Sequence, residues 1–395
     1  MTTETKRQAW ADALADLFAS PPGPSPTLLS VGAQPGAGKT RAIASTRRMF
    51  YPDHDFVEIL GDDLRQYHPD YERLVADPDP EAMPAATADL SSWLVGQALD
   101  VSERIDSLRA LARRLHAPVQ VTVGLDHARA LTPPWVHTEH WSGLTNPDTL
   151  GPVLRAAVPV VGHGLTRPDL VTAVCEYLAA PIRAMRHGLR TAVVPCIVEP
   201  QETVADPPDG RTIAMVTVGG LVERKDPMAC LDILAELTER GRRATLTFVG
   251  EGPLRRDIEE RLAADPALAE RTRLTGGLDS DGVRAELARA NVFIGPTRGD
   301  NFFVSAAEAI TSGRPVVVSD AGGQTEYVTP DNGTVLPLGA DSRQWADAVI
   351  DAVERLAPRG ARRIADTIGE RFSSARVGAA YRRLHEECAA APARS

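Results

Sequence analysis

The sequence predicts an α/β protein of two doubly wound, Rossmann-like lobes facing a cleft, with a glycine-rich β-loop-α-β unit at the N-terminus. Three observations point to it. Beyond residue 212, short apolar runs alternate with helical segments of roughly 10 to 15 residues, the pattern of a parallel sheet covered on both faces. Polar, glycine-containing ends recur after those runs, where ligands of open α/β sheets bind. A polar stretch at 199–211, EPQETVADPPDGR, holds too much Pro, Asp and Glu for a core strand and reads as an interdomain linker and hinge.

The elements follow in order. Trp10, Leu14, Leu17 and Phe18 recur at helical spacing over 5–18, and PPGPSP stops that helix. TLLSVGA (27–33) reads as a strand leading into QPGAGKT, which opens a helix; FVEIL (56–60) is the next strand and ends at Gly61-Asp62-Asp63. Residues 72–116 are mostly helical in pattern. PVQVTV (118–123), WVHTEH (135–140), VPVVGH (158–163), LVTAVC (170–175) and TAVVPC (191–196) carry strand signals. After the linker come TIAMVTVG, TLTFVG, RTRLTG, NVFIGPT, PVVVSD and GTVLPL, with helices starting near Asp226, Leu254, Ser280, Asn301 and Gln324. Two helices, 341–357 and about 360–391, close the chain. The divisions expected are 1–100, 101–205 and 206–395.

Composition narrows the function classes. With 395 residues, 43% hydrophobic and 24% charged, the chain is ordinary globular protein and not a disulfide scaffold. A formal net charge of −10 argues against a nucleic-acid partner and against nonspecific capture by an anionic membrane, while leaving room for a local basic phosphate pocket and for other peripheral membrane contact. Cys175, Cys196, Cys230 and Cys388 have no C-x-x-C spacing, so no metal or disulfide framework is expected and a reducing compartment fits. No signal peptide and no run of ~18 apolar residues is seen, and a cytoplasmic protein is expected.

The strand ends of the second half carry the chemistry: Gly219-Gly220 ahead of Lys225, GEGPLR (250–255), TGG (275–277), PTRGDNFF (296–303) and SDAGGQTE (319–326). Taken together, VGGLVERKDP, FVGEGPLR, GDNFFVSAAEAITSGRPVVVSDAGGQTE and NGTVLPL resemble, in order, the donor-binding domain of retaining GT-B glycosyltransferases of the glycogen synthase and sucrose synthase type. HTEHWSG (137–143) resembles the strand of the acceptor-side lobe that ends in histidine, and the likeness covers about 130–390. It implies transfer of a sugar from a UDP- or GDP-sugar to a hydroxyl acceptor, with no cofactor required. The E-x(7)-E motif of that family falls on Asp300 and Glu308. The resemblance gives Glu308 the ribose hydroxyls, and gives Asp300 and His140 the sugar and the developing positive charge. Lys225 and the amides around Asn301, Phe302 and Val304 receive the diphosphate, and Gly322 and Gly323 allow close backbone approach. One departure stands out: Gly220 occupies the position of the family's arginine, and the spacing alone does not make Arg224 its replacement. Glu308 could otherwise cap neighbouring amides, and Lys225 or His140 could be merely structural.

AQPGAGKT (33–40) has the parts of a P-loop: Gly36 and Gly38 let the amides wrap a phosphate, Lys39 reaches the β/γ oxygens, and the Thr40 hydroxyl suits Mg²⁺. With GDDLRQYHPDY it resembles the zeta toxin family, over about 5–100, which implies an ATP- or GTP-dependent kinase acting on a UDP-N-acetylhexosamine with Asp62 as general base. The family's glutamate-glycine-threonine strand end and phosphate-clamping arginines are missing. An inactive or binding-only fusion is the third reading.

Overall fold

A computed structural model of the chain describes residues 3–17, 66–75, 87, 90, 94, 119–121, 135–147, 155, 162, 164–208 and 211–390. Two compact units emerge, Met1–His137 with His385–Ser395, and Thr138–Leu384. In the first, helix α1 (Thr3–Leu17) buries Ala9 and Ala13 against Leu90 and Leu94, with Trp10 and Tyr67 packed alongside. A short helix α2 (Tyr71–Val75) follows. Strand β1 (Val119–Val121) pairs in parallel with β2 (Trp135–Glu139), Val119 opposite Trp135.

The second unit opens with the turn after β2, then β3 (Leu170–Ala173), α3 (Glu176–Arg186) and β4 (Thr191–Val193), parallel to β3. Its main sheet holds β5 (Ile213–Val218), β6 (Ala244–Val249), β7 (Thr272–Leu274), β8 (Val292–Gly295), β9 (Val316–Ser319) and β10 (Gly333–Leu336). They lie in the order β10-β9-β8-β5-β6-β7, every pair parallel. Counted from β5 this is 3-2-1-4-5-6, the doubly wound dinucleotide-binding order.

Both faces of the sheet are covered, which is why its central strands β8 and β9 read as continuous apolar runs. Val216, Phe293, Val316 and Val318 pack on one side with Ala306, Ala307 and Ile310 of α8 (Val304–Thr311). Met215, Leu246, Ile294 and Val317 pack on the other with Leu231 and Leu234 of α4 (Pro227–Glu239) and Trp345 of α9 (Ser342–Asp351). Between these come α5 (Arg255–Ala264), α6 (Pro266–Ala269) and α7 (Ser280–Arg289); α10 (Ala361–Ala365) and α11 (Ser374–Ala390) follow. Among the described residues no helix is long and apolar enough to cross a membrane.

Four local expectations change. In VPVVGH, Gly162 is helical, as is Gly164 just beyond it: a short apolar run does not by its periodicity distinguish a buried helix from a strand. The helix expected at Gln324 is a single 3₁₀ turn, Gly323–Glu326, because Pro330 follows too closely for a longer one. The helix expected over 360–391 is broken: Gly369 turns left-handed (φ 52°) and Ser373 caps α11, its Oγ accepting from Arg376 N at 3.3 Å. The segment read as linker is fastened along its described length. Arg314, fully buried, donates to Ala205 O at 2.8 Å, and Arg362 donates to Gln201 O at 3.1 Å.

Candidate active site

In a doubly wound sheet the crevice opens where the chain leaves neighbouring strands in opposite directions, here beyond the carboxyl ends of β5 and β8. The loop after β5 runs through Gly219 and Gly220 into a 3₁₀ turn, Glu223–Lys225, closed by Asp226 in the left-handed region (φ 49°). The loop after β8 is stitched to it: Arg298 N and Thr297 Oγ1 donate to Arg224 O at 2.7 and 3.0 Å, and Arg298 Nε donates to Asp226 Oδ2 at 2.8 Å. Between them lies a pocket lined by Gly219, Gly220, Lys225, Pro227, Gly295 and Phe303.

Asp300 is the electrostatic centre. Its Oδ2 accepts from Lys225 Nζ and, at 3.1 Å, from Arg224 Nη1; its Oδ1 accepts from Phe303 N at 3.0 Å. Arg224 Nη1 also donates to Gly299 O at 2.7 Å, and the Lys225 ammonium sits 3.8 Å from the centroid of the Phe303 ring. The side chains of Asp300, Lys225 and Arg224 are only 17%, 18% and 22% exposed, so the charges interact more strongly than a solvated surface pair. Burial alone would push the Asp300 carboxyl up; the two cations outweigh it and hold it below the usual carboxylate range. Burial draws Lys225 down, against the pull of Asp300.

The same bond from Phe303 N corrects the expected helix start. Phe303 is held at φ 60°, ψ 61°, so α8 begins at Val304 and Asn301 and Phe302 lie in the preceding loop. The Phe302 side chain is buried against Tyr327 and Phe372, which leaves only its backbone to face a ligand. Glu308 lies in α8, half-buried, eight residues beyond Asp300.

A third loop, after β9, brings Gly322 (φ 147°) beside Asp300. Asp300 N donates to Ala321 O at 3.0 Å and Gly323 N donates to Asp300 O at 3.1 Å. A Cβ on Gly322 would lie 2.0 Å from Asp300 O, and one on Gly323 2.1 Å from Asn301 O. The close approach these glycines permit is therefore to the protein's own backbone. Gly220 differs: a Cβ there would meet nothing nearer than 3.7 Å.

Asn301 ties this centre to the turn after β2. Its Nδ2 donates to His140 O at 2.8 Å, its Oδ1 accepts from Thr145 Oγ1 at 2.8 Å, and its backbone O accepts from Cys175 Sγ at 2.6 Å. Glu139 Oε1 takes the amides of His140 and Trp141 at 2.8 and 2.7 Å and so sets the turn that delivers His140. Cys175 caps α3, with Leu178 N on its sulfur, and burial pushes its thiol up to about 12. The structure thus brings together Lys225, Asp300, Asn301, Gly322, Gly323 and the backbone of His140. Gly36, Gly38, Lys39, Thr40 and Asp62 lie outside the described residues. Sequence reasoning missed Glu139, Thr145 and Cys175; a thiol just ahead of an apolar helical run was the one available signal, for Cys175.

The family described as "Glycosyl transferases group 1" matches residues 212–355. These residues are a group 1 glycosyl transferase domain. The family described as "Zeta toxin" matches residues 11–105. The chain is 26% identical to a 2-deoxystreptamine glucosyltransferase of Streptomyces kanamyceticus, over 65% of this chain and 72% of the relative. It is 34% identical to a GDP-mannose-dependent alpha-(1-6)-phosphatidylinositol dimannoside mannosyltransferase of Mycobacterium tuberculosis, over 39% of this chain and 40% of that protein. It thus spans well under half of the second relative. Among solved structures, HepE of Anabaena with UDP and glucose superposes with a TM-score of 0.64 at 16% identity, covering 91% of this chain and 98% of that one. TarM of S. aureus gives 0.57 at 13%, covering 70% and 58%. At these identities the likeness is one of fold, the α/β fold of GT-B glycosyltransferases. The domain and the relatives together indicate a glycosyltransferase.

Proposed function

We propose that the unit 138–384 transfers a sugar from a UDP- or GDP-sugar to a hydroxyl acceptor with retention of anomeric configuration and without a metal. The observation that carries this reading is the cation pair Lys225–Arg224 on Asp300 at the switch point of a 3-2-1-4-5-6 sheet. A crevice holding one carboxylate and two cations suits a diphosphate beside a sugar that develops positive charge. Lys225 takes the diphosphate, Glu308 the ribose, and Asp300 and His140 the sugar. That HepE is described with UDP and glucose, and a relative as GDP-mannose-dependent, supports a nucleotide-sugar donor without choosing the base. Incubation with UDP- and GDP-sugars should release the nucleoside diphosphate; Glu308→Ala should abolish release, and proton NMR of the first-formed product should show the donor's anomeric configuration. Release unaffected by Glu308→Ala would overturn the reading.

A second reading has its own observation, the zeta toxin match over 11–105. There Lys39 would hold the triphosphate of ATP or GTP, Thr40 the Mg²⁺, and Asp62 would accept the proton of a sugar hydroxyl on a UDP-N-acetylhexosamine. Lys39→Ala should remove ATP-dependent phosphorylation and leave glycosyl transfer intact. Absence of phosphorylated product in the wild type would discard it.

A further inference from the structure

The two cations on Asp300 are not equivalent. Lys225 lines the pocket, with a flexible ammonium that has three protons to share and an aromatic face beneath it. Arg224, like Asp300, is not among the residues lining that pocket. Its Nη1 is spent on Gly299 O and Asp300 Oδ2, and its own carbonyl is held by Arg298 N and Thr297 Oγ1, so the residue is pinned at both ends. Asp300, Lys225 and Arg224 together carry one net positive charge. An arriving diphosphate brings about two negative charges and competes for Lys225. A shielded carboxylate that then lost its only cation would take up a proton.

We propose that Arg224 is a positioning residue that keeps Asp300 ionised and oriented once the donor diphosphate engages Lys225. This rests on the nucleotide-sugar reading above. It also separates Arg224 from the simpler role of replacing the cation missing at Gly220, since its guanidinium is directed at the carboxylate and the 299 carbonyl. Asp300 is faced by Lys225 and Arg224 from the 3₁₀ turn, and by Cys175, Cys196 and Tyr327 from the elements around it. The two thiols are pushed up to about 12 by burial and the Tyr327 phenol well above its usual value, so none of them ionises on the acid side. His140, Glu326 and the Asp226–Arg298 pair are shared by wild type and variant, so a difference between the two profiles isolates Arg224.

The test is the pH dependence of nucleotide release from UDP-glucose and GDP-mannose, with water as acceptor, alongside inhibition by UDP and GDP. Arg224→Gln should move the acid limb of kcat upward by about one pH unit or more, leaving UDP and GDP inhibition within about threefold. Arg224→Lys should show a smaller upward shift, and it carries the test if the glutamine variant does not fold by circular dichroism. Lys225→Gln should weaken inhibition by about tenfold or more. An active wild type whose acid limb stays unmoved in both Arg224 variants overturns this proposal alone. So does a tenfold loss of UDP or GDP inhibition in Arg224→Gln, which would make Arg224 a diphosphate ligand. A wild type that neither releases nucleotide from these sugars nor binds UDP or GDP overturns the donor reading and this proposal together.

Discussion

Gly322→Ala is the substitution that most directly probes how the three strand-end loops hold Asp300. An alanine there meets two obstacles. The backbone angle, φ 147°, is one that residues with a Cβ rarely adopt, at a cost of about 1–3 kcal/mol. The Cβ also falls 2.0 Å from Asp300 O and 2.5 Å from Gln324 Oε1, so the loops must part. Parting them threatens the bonds Asp300 N to Ala321 O (3.0 Å) and Gly323 N to Asp300 O (3.1 Å), each worth about 0.5–1.5 kcal/mol. The expected loss is therefore about 2–6 kcal/mol. Gly339→Ala is the control: its φ of 92° is also left-handed, yet nothing lies within 4 Å of the added carbon, so it should cost only the backbone component. Gly220→Ala, with normal φ and contacts no nearer than 3.7 Å, should be close to neutral. Urea unfolding of the three variants measures the stabilities. Nucleotide release from the turned-over sugar measures the site, where a displacement of about 1 Å in Asp300 is expected to cost on the order of a hundredfold. If Gly322→Ala is no more destabilised than Gly339→Ala and turns over normally, the close approach of these loops does not position Asp300.

Other outcomes follow from the same geometry. Arg314→Leu should lose about 3 kcal/mol in urea unfolding, because the carbonyls of Leu287 and Ala205 lose their buried donor; limited proteolysis should then cut within 199–211 faster than in the wild type. The Cys175 thiol, buried and pushed up to about 12, should react with iodoacetamide at pH 8 about a thousandfold more slowly than an ordinary thiol, as followed by mass spectrometry; rapid native labelling would contradict its environment. Asp341→Ala removes a capping box in which the carboxylate accepts from Gln344 N at 2.9 Å, and should cost about 1 kcal/mol with activity unchanged.

How far the sequence reaches depends on the range of the interaction involved. Strands β8 and β9 were readable because each is an apolar run buried on two faces, a property of the run itself, whereas the edge strand β7, with Arg273 exposed, was readable only from the regular strand–helix alternation around it. Asp300, Glu308 and Lys225 were singled out by the resemblance to the donor-binding domain, and of these the structure sets Lys225 against Asp300 at the strand ends. The start of α8 was not, since it is fixed by one carboxylate accepting from an amide three residues on, and many sequences could instead have continued the helix. The glycines at 322 and 323 suggested a close approach, but what they approach is backbone more than twenty residues earlier. Asn301 shows the limit most clearly. The resemblance placed its backbone amide by the diphosphate and said nothing of its side chain, which bridges to a carbonyl 161 residues away, at His140. Local pattern can show that a loop is special, whereas the partner that makes it special is chosen by topology, which brings the ends of β2, β5, β8 and β9 together from distant parts of the sequence.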